Sequence, residues 1–138
     1  MVPSVVNIGC GAGFSGDRVD AAIPVVKTLA KKEGPKYLIF ETLAERTLAL
    51  AQKHRRKDPS HGYSPFLESY IRPILKNCYE SDIIIVSNFG AANPQGGAMK
   101  IAEIAHQLGC KNMKIAIVEG DDLLQVMSNQ DIQNHPTI

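Results

Sequence analysis

Acidic, amide and glycine residues are concentrated in four short segments, each of which follows an apolar run. The segments are Gly9–Arg18, Glu41–Arg46, Ser87–Pro94 and Glu119–Asp122. Glycine lets a backbone approach a ligand closely, while carboxylates and carboxamides form directional hydrogen bonds. These residue types suit acid–base chemistry on a small polar molecule. The pattern therefore predicts one small-molecule site shared by the four segments.

Three carboxylates are the candidate catalytic residues, and they are Glu41, Asp121 and Asp17. A general acid–base pair would come from Glu41 and Asp121. The predicted ligand-binding residues are Gly11, Gly13, Ser15, Gly16, Arg18, Glu45, Arg46, Asn88, Gly90, Asn93 and Asp122. If the carboxylates converge, their mutual repulsion should raise some of their pKa values. The sequence predicts no set of metal ligands and leaves the cofactor unknown.

Several of these residues also have purely structural interpretations. Glu45 would close a helix capping box, and Asn93 would be a helix N-cap. Asp121 and Asp122 would be charges favoured by a helix N-terminus. Cys10 has the character of a small buried residue, although a helix N-terminus nearby would lower the pKa of its thiol. The prediction of a site therefore rests on all four segments together.

The first segment matches the dinucleotide fingerprint, with glycines at 11, 13 and 16 and Glu41 at the end of the next strand. In that fingerprint the helix begins within the glycine run, so that its N-terminus meets pyrophosphate. Here Pro24 moves the helix start to about Asp20, and Asp17 puts negative charge where phosphate would lie. Nucleotide binding is therefore the alternative function.

Four short apolar runs are the predicted strands that position these segments. They are Val5–Ile8, Tyr37–Phe40, Asp82–Val86 and Lys114–Val118. Nearly continuous apolar runs are typical of parallel strands that are covered on both faces. Because the carboxyl ends of parallel strands meet at one edge of a sheet, the four segments should lie close together.

Helical spacing fills the intervals between these strands. A helix is predicted over Ala21–Lys32, and a capping box at Thr42–Glu45 opens a second that runs to about Arg56. Ser64–Pro65 opens a third, with a kink or break at Pro73. Asn93–Pro94 opens a fourth, which Gly109 closes.

The predicted fold is α/β, with a parallel sheet of about four strands in the order β-α-β-α-α-β-α-β. A Rossmann-like three-layer sandwich is the first choice and half of a (β/α)8 barrel is the alternative, since periodicity does not separate the two. Four strands alone cannot close a barrel, which favours the open sheet. Residues 1–128 form the single domain and 129–138 a frayed tail.

Composition narrows the class of protein. A formal net charge of +1 provides no basic surface for nucleic acid, and no apolar run is long enough to cross a bilayer. Three widely spaced cysteines indicate neither a disulfide framework nor a CxxC metal site. We therefore expect a cytoplasmic protein that binds neither nucleic acid nor membrane.

Five segments, in this order, cover nearly the whole chain and carry a family resemblance. They are Ile8–Arg18, Phe40–Gln52, Asp58–Tyr63, Asn88–Pro94 and Glu119–Asp122. They resemble the N-terminal part of the acyclic terpene utilisation protein A (AtuA-like) family, formerly a domain of unknown function. The resemblance implies a role in the breakdown of branched acyclic terpenoids such as citronellol and geraniol, through acyl-CoA thioesters.

Three functions follow from these observations. The first is an enzyme or enzyme subunit that binds a small carboxylate or acyl-CoA at the four-segment site. The second is a nucleotide-binding module, and the third is a non-catalytic subunit of a larger complex. Members of the family are longer than this chain, so the resemblance implies that a second copy or a partner subunit completes the fold. Exposed sheet edges also predict a homo-oligomer.

Overall fold

A computed structural model describes residues 5–123 and 126–136 of the chain. Within these ranges the chain forms three strands and six helices. Their bounds are β1 Asn7–Ala12, α1 Ala22–Leu29, β2 Lys36–Phe40, α2 Glu45–Lys57, α3 Leu67–Ile71, α4 Leu75–Glu80, β3 Ile83–Ser87, α5 Pro94–Gln107 and α6 Asn129–Asn134. The α/β class is confirmed.

The strands form one parallel sheet in the order β1-β2-β3. In this register Ile8 lies beside Tyr37, which lies beside Ile84 on β3. Successive side chains of a strand point to opposite faces, so each row across the sheet belongs to one face. Because all three strands are parallel, their carboxyl ends lie along the same edge of the sheet, as predicted.

One face of the sheet forms the core. Leu38 and Phe40 of β2 are buried there with Ile83 of β3. They join a single apolar cluster with α1, α3, α4 and α5. Gly9 allows α1 to approach β1 closely, because a Cβ at this position would lie 2.4 Å from Cγ1 of Val25. The described helices that build the core thus pack on this face.

The opposite face of the sheet is open. Ile8 of β1 is 66% exposed, Ile39 of β2 is 38% exposed and Ile84 of β3 is 54% exposed. The predicted three-layer sandwich requires helices on both faces, and among the described residues they cover only one. The apolar strands correctly predicted a parallel sheet, but their composition did not show what covers the second face.

The fourth predicted strand, Lys114–Val118, is not confirmed. These residues are exposed and have no strand partner in the structure, so the outer edge of β3 is unpaired among the described residues. A cavity of about 960 Å³ separates this segment from β3. Apolar composition predicts a strand, but a strand also requires a neighbour within hydrogen-bonding distance.

Proline, asparagine and glycine residues correctly predicted several helix boundaries. Pro73 falls between α3 and α4, where a break or kink was predicted. The Asn93 side chain caps α5, and Gly109 follows that helix with φ +73°. The predicted capping box of α2 is wrong, because Ala44 is its N-cap and the Thr42 hydroxyl bonds to Asn88 instead.

The C-terminal region, which was predicted to be a frayed tail, includes a short helix. Residues Asn129–Asn134 form α6, which Ser128 caps through a hydrogen bond from the backbone N–H of Asp131. Residues 137 and 138 of the predicted tail lie outside the described ranges. Within those ranges, none of the helices is long and apolar enough to span a membrane.

Candidate functional site

The carboxyl ends of β2 and β3 are joined by the side chain of Asn88. Its Oδ1 accepts a hydrogen bond of 2.8 Å from the backbone N–H of Thr42 and one of 3.3 Å from the Thr42 hydroxyl. Its Nδ2 donates to Oε1 of Glu41 over 2.9 Å. Two residues predicted from separate segments, Glu41 and Asn88, therefore belong to one cluster.

The carboxylate of Glu41 is held in its ionised form. The backbone N–H of Leu43 donates to Oε1 over 2.9 Å. This bond, followed by the bond from Asn88, lowers the pKa of Glu41 below its usual value. Repulsion among converging carboxylates was expected to raise pKa values, and for Glu41 that expectation is wrong. At neutral pH this side chain can accept a proton but not donate one.

Asp17 organises the loop after β1. Its Oδ2 accepts from the backbone N–H of Gly13 over 3.2 Å, and its Oδ1 accepts from the N–H of Arg18 over 2.7 Å. The hydroxyl of Tyr70 donates to the backbone oxygen of Asp17 over 2.5 Å. The Asp17 carboxylate thus occupies backbone donors that a phosphate in this loop would need.

Three aromatic rings lie beneath the loops and connect them. Tyr70 stacks on Phe89 with ring centroids 5.5 Å apart, and Phe40 lies 5.0 Å from Phe89. All three rings are buried. Since Phe89 belongs to the loop after β3 and Tyr70 binds the loop after β1, the rings hold both loops to the end of β2. This role could not be predicted from the sequence, because apolar residues in α3 and in a polar loop carry no signal of mutual contact.

The glycine run does not form a phosphate loop of the dinucleotide type. Gly11 is still in β1, and α1 begins only at Ala22, as Pro24 predicted. Gly16 has φ +88°, which places it in a turn that favours glycine. A Cβ on Gly11 would lie 2.4 Å from the Phe40 ring. Gly11 is therefore required for packing against Phe40.

Two glycine substitutions test this assignment. Gly11→Ala should destabilise the protein by about 1–3 kcal/mol, because the added methyl group meets a buried ring. Gly13→Ala should change stability by less than about 0.5 kcal/mol, since no atom lies within 4 Å of its Cβ position. Urea denaturation of both variants measures the difference. Equal stability of the two would contradict the packing role.

A cavity of about 960 Å³ opens beside β3. Its walls are mostly apolar and come from β3, α3, α4, α5 and residues 112–118. They include Leu67, Ile71, Leu75, Ile85, Ala98 and Ile101. Asn88, Gly90 and Asp121 line the same space. We call the part of the cavity that these apolar walls form the trough. The trough lies next to three of the residues that were predicted to bind ligand or act in catalysis.

Asn93 is buried and makes structural hydrogen bonds. Its Oδ1 accepts from the N–H of Gly96 over 3.0 Å, which caps α5. Its Nδ2 donates to the backbone oxygens of Pro59 and His61 over 3.1 and 2.9 Å. The structural interpretation of Asn93 is therefore observed, whereas a contact with a ligand stays a prediction.

Five other predicted residues lie in the loop after β1 and on α2. Ser15, Gly16 and Arg18 are in the loop after β1, where Arg18 pairs with Asp20 over 2.8 Å. Glu45 and Arg46 are exposed on the first turn of α2. Within residues 5–123 and 126–136, no group of three histidine, cysteine or acidic side chains is arranged to hold a metal ion. The centre of the site is therefore Glu41, Asn88 and the cavity that Asp121 also lines.

A family model described as the acyclic terpene utilisation family protein AtuA matches residues 6–137. The match spans all three strands and every segment of the site. We found no match among curated proteins and none among solved structures.

Proposed function

The chain belongs to the acyclic terpene utilisation AtuA family, and from this premise we propose that it is an enzyme or enzyme subunit that binds a branched acyclic acyl group. The trough beside β3 would hold the hydrocarbon, and the cluster at Asn88 would hold its polar head. The apolar cavity with a polar lining at the carboxyl end of β3 is the observation that supports this proposal most.

The size and lining of the cavity suit such a ligand. Small-molecule sites usually have volumes of roughly 300–1,000 Å³, with apolar walls and a few polar groups that fix orientation. A branched chain of isoprenoid type has no hydrogen-bonding groups along its length. It would gain roughly 0.8 kcal/mol for each CH2 group that it buries against walls such as Ile85 and Ile101.

The charges near the polar lining favour a thioester over a free acid. Glu41 is ionised beside Asn88, and Asp121 lines the cavity, so a ligand carboxylate would meet negative charge. An acyl thioester has an uncharged carbonyl oxygen, which can accept the second hydrogen of the Asn88 amide nitrogen. Glu41 would then act as a general base toward the bound acyl group.

Thermal shift measurements test the proposal. The probes are citronellate, its N-acetylcysteamine thioester, NAD and ATP. At 100 times its Kd the thioester should stabilise the protein by about 2.7 kcal/mol, which corresponds to a rise in Tm of roughly 10 °C. NAD and ATP should produce no rise. If a nucleotide raises Tm and neither terpenoid probe does, the nucleotide-binding alternative replaces the proposal.

A matched pair of variants locates the binding. Ala98→Phe places a ring in the trough, whereas Met99→Phe, one residue further along α5, places it at a position that is 74% exposed. Ala98→Phe should remove the shift caused by the thioester, and Met99→Phe should retain it. If both variants retain the shift, the ligand binds elsewhere.

We also propose a cytoplasmic location. Cys10, Cys78 and Cys110 are all free thiols, and Cys10 is exposed. Free exposed thiols persist in reducing compartments.

A further inference from the structure

The cavity beside β3 extends along the whole strand. Every residue from Asp82 to Ala91 lines it, and so does every residue from Asn112 to Val118 on the other side. The strand has five residues, and each advances about 3.3 Å, so β3 is about 17 Å long. This length limits the hydrocarbon that the trough can hold.

Polar groups lie at both ends of this length. Asn88 follows β3 at its carboxyl end, and Asp82 precedes β3 at its amino end. The four side chains of Ile83–Val86 between them are branched and aliphatic. Hydrocarbon that displaces water from a carboxylate leaves that group without hydrogen bonds, which costs free energy. An apolar chain that starts at Asn88 should therefore end before Asp82.

Tyr79 and Met113 lie at the amino end of the trough, and both line the cavity. The Tyr79 hydroxyl donates a hydrogen bond to the backbone oxygen of Lys111. This bond joins α4 to the segment that forms the opposite wall. Met113 is partly buried and packs against the core. The two walls are thus tied together at the end of β3 that is furthest from Asn88.

We propose that Tyr79 and Met113 determine specificity by limiting the acyl chain to three isoprene units. The inference rests on the proposed function, in which Asn88 holds the polar head. An extended chain advances about 1.2 Å per single bond, since the three backbone bonds of a residue span about 3.3–3.6 Å. Main chains of acyl groups with two, three and four isoprene units are therefore about 8, 13 and 18 Å long. Three units fit along β3, whereas four reach Tyr79 and Met113.

The dissociation constants of a chain-length series test the proposal. The probes are N-acetylcysteamine thioesters of saturated isoprenoid acids with two, three and four isoprene units. Isothermal titration calorimetry measures each Kd below the concentration at which the probe forms micelles. From two to three units the Kd should fall at least about 10-fold, because each buried CH2 group adds to binding. From three to four units it should not fall, since the last unit has no apolar wall to contact.

Two variants open the amino end of the trough. Met113→Ala removes the side chain from one wall, and Tyr79→Ala removes the ring and its bond to Lys111 from the other. In both variants the Kd of the four-unit probe should fall at least about 10-fold, because the last unit can then be buried. The Kd of the two-unit probe should be unchanged, since that chain does not reach this end.

Met99→Ala is the matched control, because Met99 is 74% exposed on α5. It should bind all three probes as the wild-type protein does. The circular dichroism spectrum of each variant verifies its fold. If one of the two opening variants does not fold, the other decides the outcome.

A Kd that falls again from three to four units in the wild-type protein would overturn the proposal and leave the proposed function in place. An unchanged preference for chain length in the folded opening variants would also overturn it. If none of the three probes binds, the proposed function is wrong, and this inference is overturned with it.

Discussion

Replacing Asn93 with alanine should lower the free energy of unfolding by about 2–4 kcal/mol. The substitution removes the N-cap of α5, which contributes about 1 kcal/mol. It also leaves the backbone oxygens of Pro59 and His61 without the donor that they share. Both bonds are partly buried, and each lost bond costs roughly 0.5–1.5 kcal/mol. Urea denaturation of the purified variant measures the change.

Asn77→Ala is the matched control for this substitution. Asn77 is exposed on α4, so its replacement should change stability by less than about 0.5 kcal/mol. Because the role of Asn93 is structural, the folded Asn93→Ala variant should still bind the terpenoid thioester. Loss of thioester binding without loss of stability would make Asn93 a ligand contact instead.

Replacing Asn88 with alanine should affect both stability and binding. The backbone N–H of Thr42, a residue that is only 5% exposed, loses its acceptor, and we expect a loss of about 1–3 kcal/mol. The proposed ligand also loses the amide that orients its carbonyl. The thermal shift caused by the thioester should therefore disappear, in contrast to the Asn93→Ala variant.

The pKa of Glu41 is an independent measure of the effect of Asn88→Ala. In the wild-type protein the pKa of Glu41 lies below its usual value because Leu43 and Asn88 donate to its carboxylate. Removing the second donor should move this pKa upward, toward the ordinary value for glutamate. Titration of the side-chain carboxyl carbon by NMR measures it. An unchanged pKa would show that Asn88 does not hold Glu41 in solution.

Much of the fold could be predicted because local chemistry decides it. The break at Pro73 and the Asn93–Pro94 helix start follow from proline and capping geometry, and the apolar runs locate β2 and β3. The first strand was predicted over Val5–Ile8, whereas β1 spans Asn7–Ala12 and includes part of the glycine segment. The segment Lys114–Val118 has equally strong strand composition. Whether this segment pairs with β3 depends on residues far away in the sequence, which fill or leave open the space beside β3. The local sequence does not show which of the two occurs.

The candidate site shows the same division. The family and the approach of Glu41 to Asn88 followed from motifs at the carboxyl ends of parallel strands. The structural roles of Gly11 and Asn93 depend on contacts with Phe40 and with the connector around His61. These contacts join residues that are 29 and 32 positions apart. The trough was invisible for the same reason, since its walls come from five separate parts of the chain.

An NMR titration with the N-acetylcysteamine thioester of citronellic acid tests the central claim most directly. Isoleucine methyl groups and the side-chain amide of Asn88 are followed together. We expect saturable shifts of the methyl groups of Ile85 and Ile101 and of the Asn88 amide, with no shift of the backbone amide of Gly13. Shifts confined to the loop after β1, or no saturable shift at any of these groups, would contradict binding beside β3.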